Sequence, residues 1–157
     1  MKKEIYLILD NIRSRENVGS IFRTSDAAGV SKIYLCGTTP TPPHEKISKT
    51  ALGAEMYVPW EYQSQAWRLL RRLKNNPPVG GEKLKIIGLE QTKNSQNVFN
   101  FKPKFPLALV LGNEVKGISP KILKYCDKKI SIPMYGKKES LNVSVAAGVA
   151  LYTILNI

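Results

Sequence analysis

The sequence predicts an α/β fold, a mostly parallel sheet with helices on both faces. Three observations lead there. Short β-rich runs alternate with helical segments along the chain, the pattern of strands joined by crossover helices. The runs KLKIIGLE, LALVLG and KISIP are apolar enough to be buried strands. The length of 157 residues, with 43% apolar and 23% charged, suits a single domain over residues 1 to 157 with one sizeable core.

In chain order, EIYLILD at 4 to 10 is the first strand. ENVGSIFRTSDAAG at 16 to 29 is a helix, with Val18, Ile21, Phe22 and Ser25 on one face and Gly29 as its stop. KIYLCG at 32 to 37 is the second strand. TTPTPPHE at 38 to 45 is irregular, because proline removes a backbone donor and fixes φ. Residues 61 to 76 form an amphipathic helix with Arg68, Arg71 and Arg72 outward, ended by NPPVGGE. Strands follow at 83 to 90, 107 to 112 and 129 to 133. The basic, aromatic segment 92 to 106 is a loop on the working face. SPKILKYC at 119 to 126 is a short helix, with Ser119 as N-cap and Pro120 at its first position. A last, very apolar helix covers about 141 to 155, with Ser140 as its N-cap.

The chain carries 24 Lys and Arg against 12 Asp and Glu, a formal net charge of +12. Such an excess favours a polyanionic partner, nucleic acid first. Cys36 and Cys126 make neither a CxxC pair nor a metal-ligand spacing. Reduced cysteines and a cytoplasmic location are expected. The first nine residues lack the apolar core of a signal peptide, and no apolar run is long enough to span a bilayer.

Common catalytic signatures are missing. His44 is the only histidine, so no Ser-His-Asp or Cys-His arrangement exists. GxSxG, GxxxxGK[ST] and GxGxxG are all absent.

Three clusters remain. NIRSRENVGSIFRTSDAAG places Asn17 and Gly19 at the opening of a helix, a natural anion site, with Arg23 nearly two turns in. The plain structural alternative makes Asn17 a helix cap and pairs Arg23 with Asp26. LALVLGNEVKGIS stops a buried strand at Gly112, Asn113 and Glu114, where parallel α/β folds bind ligands. Its alternative is a left-handed turn with a solvated glutamate. ISIPMYGKKESLNVSVAAG ends a strand at Pro133 and leads through Gly136 to Ser140, Leu141 and Asn142. Capping by Ser140 leaves Asn142, just inside the helix, unexplained.

Taken together, NVGSIFRTSDAAGV (17 to 30), LVLGNEVKGIS (109 to 119) and ISIPMYGKKESLNVSVAAGVALY (130 to 152) resemble the motifs of the SpoU (TrmH-like) family of SPOUT-class RNA methyltransferases. The segment SKTALGAE at 48 to 55 is similar to that family's small-residue segment. The resemblance implies methyl transfer from S-adenosylmethionine to a ribose 2′-hydroxyl of tRNA or rRNA, with S-adenosylhomocysteine as product and no metal. It implies a C-terminal deep trefoil knot and a homodimer. The family's cofactor contacts carry over to Leu89, Gly112, Ile132, Met134, Ser140 and Leu141. Its arginine that activates the hydroxyl carries over to Arg23, either as an electrostatic stabiliser of the developing alkoxide or, oriented by a phosphate, as the base; its other polar site positions carry over to Asn17, Glu114, Ser140 and Asn142.

The basic surface then acquires a use. Arg13, Arg15, Lys46, Lys49, Lys116, Lys137 and Lys138 lie in or beside the motif loops, placed to neutralise RNA phosphates. The chain is expected to be a catalytic core with no extra RNA-binding extension. The competing reading is a non-catalytic RNA-binding protein that keeps the fold. It predicts RNA binding without methyl transfer and indifference to loss of Arg23.

Overall fold

The computed structural model describes residues 2–157. Seven strands form one sheet in the order β3-β2-β1-β6-β4-β7-β5, and every neighbouring pair is parallel. The strands are β1 Ile5–Asp10, β2 Lys32–Cys36, β3 Trp60–Gln63, β4 Lys85–Leu89, β5 Gln96–Asn97, β6 Leu107–Leu111 and β7 Lys128–Ser131. The helices are α1 Arg15–Ala28, α2 Glu45–Ala51, α3 Ala66–Asn75, α4 Pro120–Leu123 and α5 Val143–Leu155. The predicted α/β class is therefore present, here with a wholly parallel sheet.

The two faces of the sheet carry separate cores. Ile5, Leu7 and Leu9 of β1 join a large cluster with Val18, Ile21 and Phe22 of α1 and Ala147, Ala150 and Leu151 of α5. Tyr6 and Ile8, pointing the other way, join Leu69, Leu70 and Leu73 of α3 and Ile122 of α4. A strand alternates its side chains between faces, so a central strand covered on both sides must be apolar throughout. Both β1 and β6 are buried at every position, and only Asp10, at the carboxyl end of β1, is polar. Phe22 and Ile21 are fully buried, each contributing about 1.5–3 kcal/mol.

Several boundaries differ from expectation. The helix read at 61 to 76 begins only at Ala66, because Trp60–Gln63 pairs with β2 as an edge strand. The segment 45 to 51, not assigned from sequence, is a helix capped by His44, whose Nδ1 accepts from the Lys46 amide at 3.1 Å. The segment 92 to 106 is not all loop, since β5 and a 3-10 turn at Val98–Asn100 lie within it. Helix α1 ends as read, with Gly29 in the left-handed region at φ 73. Ser119 caps α4, with Pro120 at its start.

Both cysteines are free. Among the described residues, no helix is long and apolar enough to cross a membrane.

Candidate functional site

The carboxyl ends of β1, β4, β6 and β7 each release a loop towards one cleft of about 960 Å³. Its walls come from Arg13, Ser14 and Asn17, from Leu89 to Thr92, from Leu111 to Ile118, and from Ser131, Ile132, Met134 and Glu139 to Val143. Crevices beyond strand carboxyl ends are where parallel sheets hold ligands.

Glu114 organises one wall. Its carboxylate accepts the backbone amides of Arg13 at 2.8 Å and Ser14 at 2.9 Å, and the Asn17 side-chain amide at 3.2 Å. The anion at the start of α1 is thus supplied by the chain itself. Burial alone would raise the Glu114 pKa, but these hydrogen bonds outweigh it and hold the carboxyl below its usual value.

Asn17 is not the cap of α1. Ser14 fills that position, its hydroxyl accepting from the Asn17 amide at 3.1 Å. The Asn17 side chain is left free to bridge two motifs. It donates to Glu114 and accepts from Asn142 Nδ2 at 3.1 Å. Asn142, in turn, is the cap of α5, in place of Ser140. Its Oδ1 accepts from the Ser144 amide at 2.9 Å and the Val145 amide at 3.4 Å. Ser140 lies in the preceding loop and faces the cleft.

Gly19 takes no part in the opening of the cleft. It is where α1 packs on α2, since a Cβ there would sit 2.0 Å from Thr50 Oγ1 and 2.3 Å from the Ile47 carbonyl oxygen. Gly112 is equally constrained, with the Gly117 carbonyl carbon 2.4 Å and the Ile118 nitrogen 2.5 Å from a Cβ position. The loop after β6 folds back on itself at this point, Asn113 and Gly117 exchanging backbone hydrogen bonds.

All six positions that the family resemblance assigns to a cofactor (Leu89, Gly112, Ile132, Met134, Ser140 and Leu141) line the cleft. So do Asn17, Glu114 and Asn142, and from the basic set Arg13 and Lys116. Arg15, Lys46, Lys49, Lys137 and Lys138 are exposed and outside the lining. Arg23 is outside it too, exposed on α1 and without a carboxylate partner among the described residues. The pairing of Arg23 with Asp26 does not form. Six helical residues past Asn17, Arg23 lies about 9 Å further along the axis and on another side.

Two cleft residues escaped the sequence reading. Glu90 Oε2 accepts the Ile118 amide at 2.7 Å, and Gln91 Nε2 donates to the Ile132 carbonyl at 2.7 Å. The exit of β4 thereby ties down both the loop after β6 and the loop after β7. A lone acidic residue and its neighbour after a strand carry no pattern. The only available signal was Gly117, where a Cβ would meet Glu90 Oε2 at 2.2 Å.

The cleft suits a small molecule with an apolar body and several polar edges. Leu89, Leu111, Ile132 and Val143 offer apolar surface, and the close turn at Gly112 brings backbone groups to the wall. No group of three His, Cys, Asp or Glu able to hold a metal occurs among the described residues.

The sequence pattern of the SpoU rRNA Methylase family matches residues 4–152. The tRNA (guanosine(18)-2′-O)-methyltransferase of Aquifex aeolicus is 36% identical over 96% of this chain and 68% of its own length. The 23S rRNA (guanosine-2′-O-)-methyltransferase RlmB of Haemophilus influenzae is 34% identical over 96% of this chain, which spans 59% of that relative. Among solved structures, the SpoU methyltransferase AviRb of Streptomyces viridochromogenes in complex with AdoMet superposes with a TM-score of 0.88. It is 25% identical, and the match covers 99% of this chain and 61% of AviRb. The A. aeolicus TrmH/SpoU tRNA modifying enzyme gives a TM-score of 0.85 at 33% identity, over 99% of this chain and 75% of that one. The match runs through all four loops that build the cleft, and on it the chain belongs to the SpoU rRNA Methylase family.

Proposed function

We propose that the protein transfers a methyl group from S-adenosylmethionine to a ribose 2′-hydroxyl of tRNA or rRNA. The observation that carries this reading is the convergence of Asn17, Glu114 and Asn142 on the wall of one cleft whose other walls are Leu89, Gly112, Ile132, Met134 and Leu141. The relatives named for 2′-O-methylation of guanosine in tRNA and 23S rRNA support the substrate class, and the AviRb complex supports the methyl donor.

When bound, S-adenosylmethionine supplies an electrophilic sulfonium methyl group. Leu89, Ile132, Met134 and Leu141 would hold it, and the backbone around Gly112 and Ser140 would offer donors and acceptors. A ribose hydroxyl is a poor nucleophile until it loses its proton. Glu114 is a weak base, because its oxygens are engaged and its pKa is depressed; its part is to hold Asn17. Asn17 and Asn142 orient the incoming ribose. Arg23, always protonated, stabilises the negative charge that develops on the 2′-oxygen while the hydroxyl proton passes to solvent water.

Arg23 is off the cleft of its own chain, so this assignment requires a second copy. A homodimer is part of the reading. It is supported by outward-facing apolar residues on α5, where Val145 is 51% and Tyr152 41% exposed. A knotted C-terminal segment belongs to the same reading, supported by the packing of the loops after β6 and β7 around one cleft. So does a cytoplasmic setting, in keeping with two free cysteines.

The test is methyl transfer. Purified protein is incubated with labelled S-adenosylmethionine and with unmodified tRNA and rRNA pools, and the digested nucleosides are identified by mass spectrometry. A 2′-O-methylnucleoside is the expected product. RNA binding without binding of S-adenosylmethionine would instead favour the non-catalytic RNA-binding reading.

A further inference from the structure

The positive charge of the chain is not gathered in the cleft. Arg13 and Lys116 there face Glu90, Glu114 and Glu139, two cations against three carboxylates. The reverse holds in a second hollow of about 670 Å³, where Lys2, Lys3, Lys83, Lys85 and Lys104 face only Glu4 and Glu82.

This hollow lies at the other end of the sheet. Leu107 pairs with both Ile5 and Lys85, so the first residues of β1, β4 and β6 are level with one another. The lysines sit on or just before those strand starts, whereas the cleft lies beyond Leu89 and Leu111. With a rise of about 3.3 Å per residue, the two ends of β6 are roughly 13 Å apart.

Two of the five lysines have partners within the fold. Lys3 Nζ donates to the Leu155 carbonyl at the end of α5, and Lys2 Nζ lies 3.5 Å from Glu4. Lys83, Lys85 and Lys104 have no carboxylate within ion-pair distance among the described residues. Three unpaired like charges around one hollow repel each other, and a row of phosphates relieves that repulsion. The lysines come from three separate segments, at or just before the starts of β1, β4 and β6, and share the lining with Val79, Phe105 and Pro106. Cations gathered from three segments suit an extended phosphate chain better than a single small anion.

We propose that this lysine-lined hollow is a second RNA contact, holding the substrate's phosphate backbone away from the methylated ribose. The proposal rests on the reading of the protein as an RNA methyltransferase. It explains how a cleft without net positive charge can recruit a polyanion: the remote lysines hold the RNA, and the cleft selects the ribose.

The test is the salt dependence of binding of unmodified tRNA and rRNA to the full chain. Lys83 and Lys104 are exposed and outside any strand, so K83Q/K104Q is the deciding variant; K83E/K85E/K104E gives a larger effect if it folds. R71Q/K124Q removes the same number of exposed charges on the opposite side of the sheet from α1 and serves as control. K83Q/K104Q should lower affinity on the order of tenfold near 0.1 M salt and reduce the slope of log K against log salt by about 1.4, for two single-strand phosphate contacts. Binding of S-adenosylmethionine should not change. Equal losses in K83Q/K104Q and R71Q/K124Q, or none in K83Q/K104Q, would overturn the proposal while leaving methylation by the wild type intact. Failure of the wild type to bind either RNA would overturn the methyltransferase reading, and this proposal with it.

Discussion

Asn142 Nδ2 donates to Asn17 Oδ1 at 3.1 Å, joining the last helix to the first across 125 residues of sequence. The other end of each side chain is also committed. Asn17 donates to Glu114, and Asn142 Oδ1 caps α5. One chain of hydrogen bonds therefore runs through all three motifs, and each member both holds the fold and shapes the cleft.

The two roles of Asn142 can be separated. Asn142→Asp keeps the oxygen that caps α5 and removes the donor to Asn17; Asn142→Ala removes both. Losing an N-cap costs about 1 kcal/mol, or roughly 2–4 °C in Tm for a chain of this size. Asn142→Ala should show that loss, and Asn142→Asp should melt close to wild type. Both should slow methyl transfer by about 10- to 100-fold, the penalty of a misplaced site. Thermal melts beside single-turnover rates decide it. An active Asn142→Asp would reduce Asn142 to a helix cap.

Glu114 makes a pH prediction. Its folded pKa is depressed below the ordinary value of 4.5 by the Arg13 and Ser14 amides, against the opposing effect of burial. A depressed folded pKa contributes stability above the unfolded pKa and loses it as pH falls through the folded value. The wild type should therefore exceed Glu114→Gln in stability at neutral pH, by about 1–3 kcal/mol for disrupted charge-assisted hydrogen bonds. The gap should close as pH drops below about 4.5. Denaturant midpoints for both proteins across that range measure it, and a gap independent of pH would mean that the ionised carboxylate is not the stabilising form.

Much of this arrangement is legible in the sequence, and the reasons differ by residue. Buried strands such as β6 declare themselves by continuous apolar runs, and Ser119-Pro120 and Gly29 mark helix ends through their own chemistry. Trp60–Gln63 did not, because a short, half-exposed edge strand runs straight into an amphipathic helix and shares its polar residues. Ser140 and Asn142 are both good caps two positions apart, so composition alone could not set the start of α5. The motifs named Asn17, Glu114 and Asn142, and the fold brings these together. Glu90 was invisible, since its role depends on where the Ile118 amide comes to lie.

Arg23 tests the dimer. It is exposed and has no ion-pair partner among the described residues, so Arg23→Ala should change stability by no more than about 0.5 kcal/mol. Methyl transfer should fall by about 10²- to 10³-fold, the usual effect of losing one group that stabilises developing charge. If Arg23 serves the partner's cleft, mixing Arg23→Ala with Asn142→Asp restores one intact site per mixed dimer. The mixture is then more active than either variant alone. If Arg23 serves its own chain, every site in the mixture keeps a defect and activity stays between those of the two variants.

Gly112 makes the most local prediction. A Cβ at this position would lie 2.4 Å from the Gly117 carbonyl carbon and 2.5 Å from the Ile118 nitrogen. Both are backbone atoms, so no side-chain rotation relieves the clash and the turn after β6 must open. Ile118 is also held by Glu90, which resists that movement. Gly112→Ala should lose about 1–3 kcal/mol of stability, as overpacking does. It should also displace the wall that carries Glu114. Affinity for S-adenosylmethionine, read by calorimetry, should fall by about tenfold or more, one hydrogen bond's worth of free energy or greater. A Gly112→Ala protein that is destabilised yet binds S-adenosylmethionine like the wild type would separate this turn from the cofactor and move the binding wall to Ile132–Leu141.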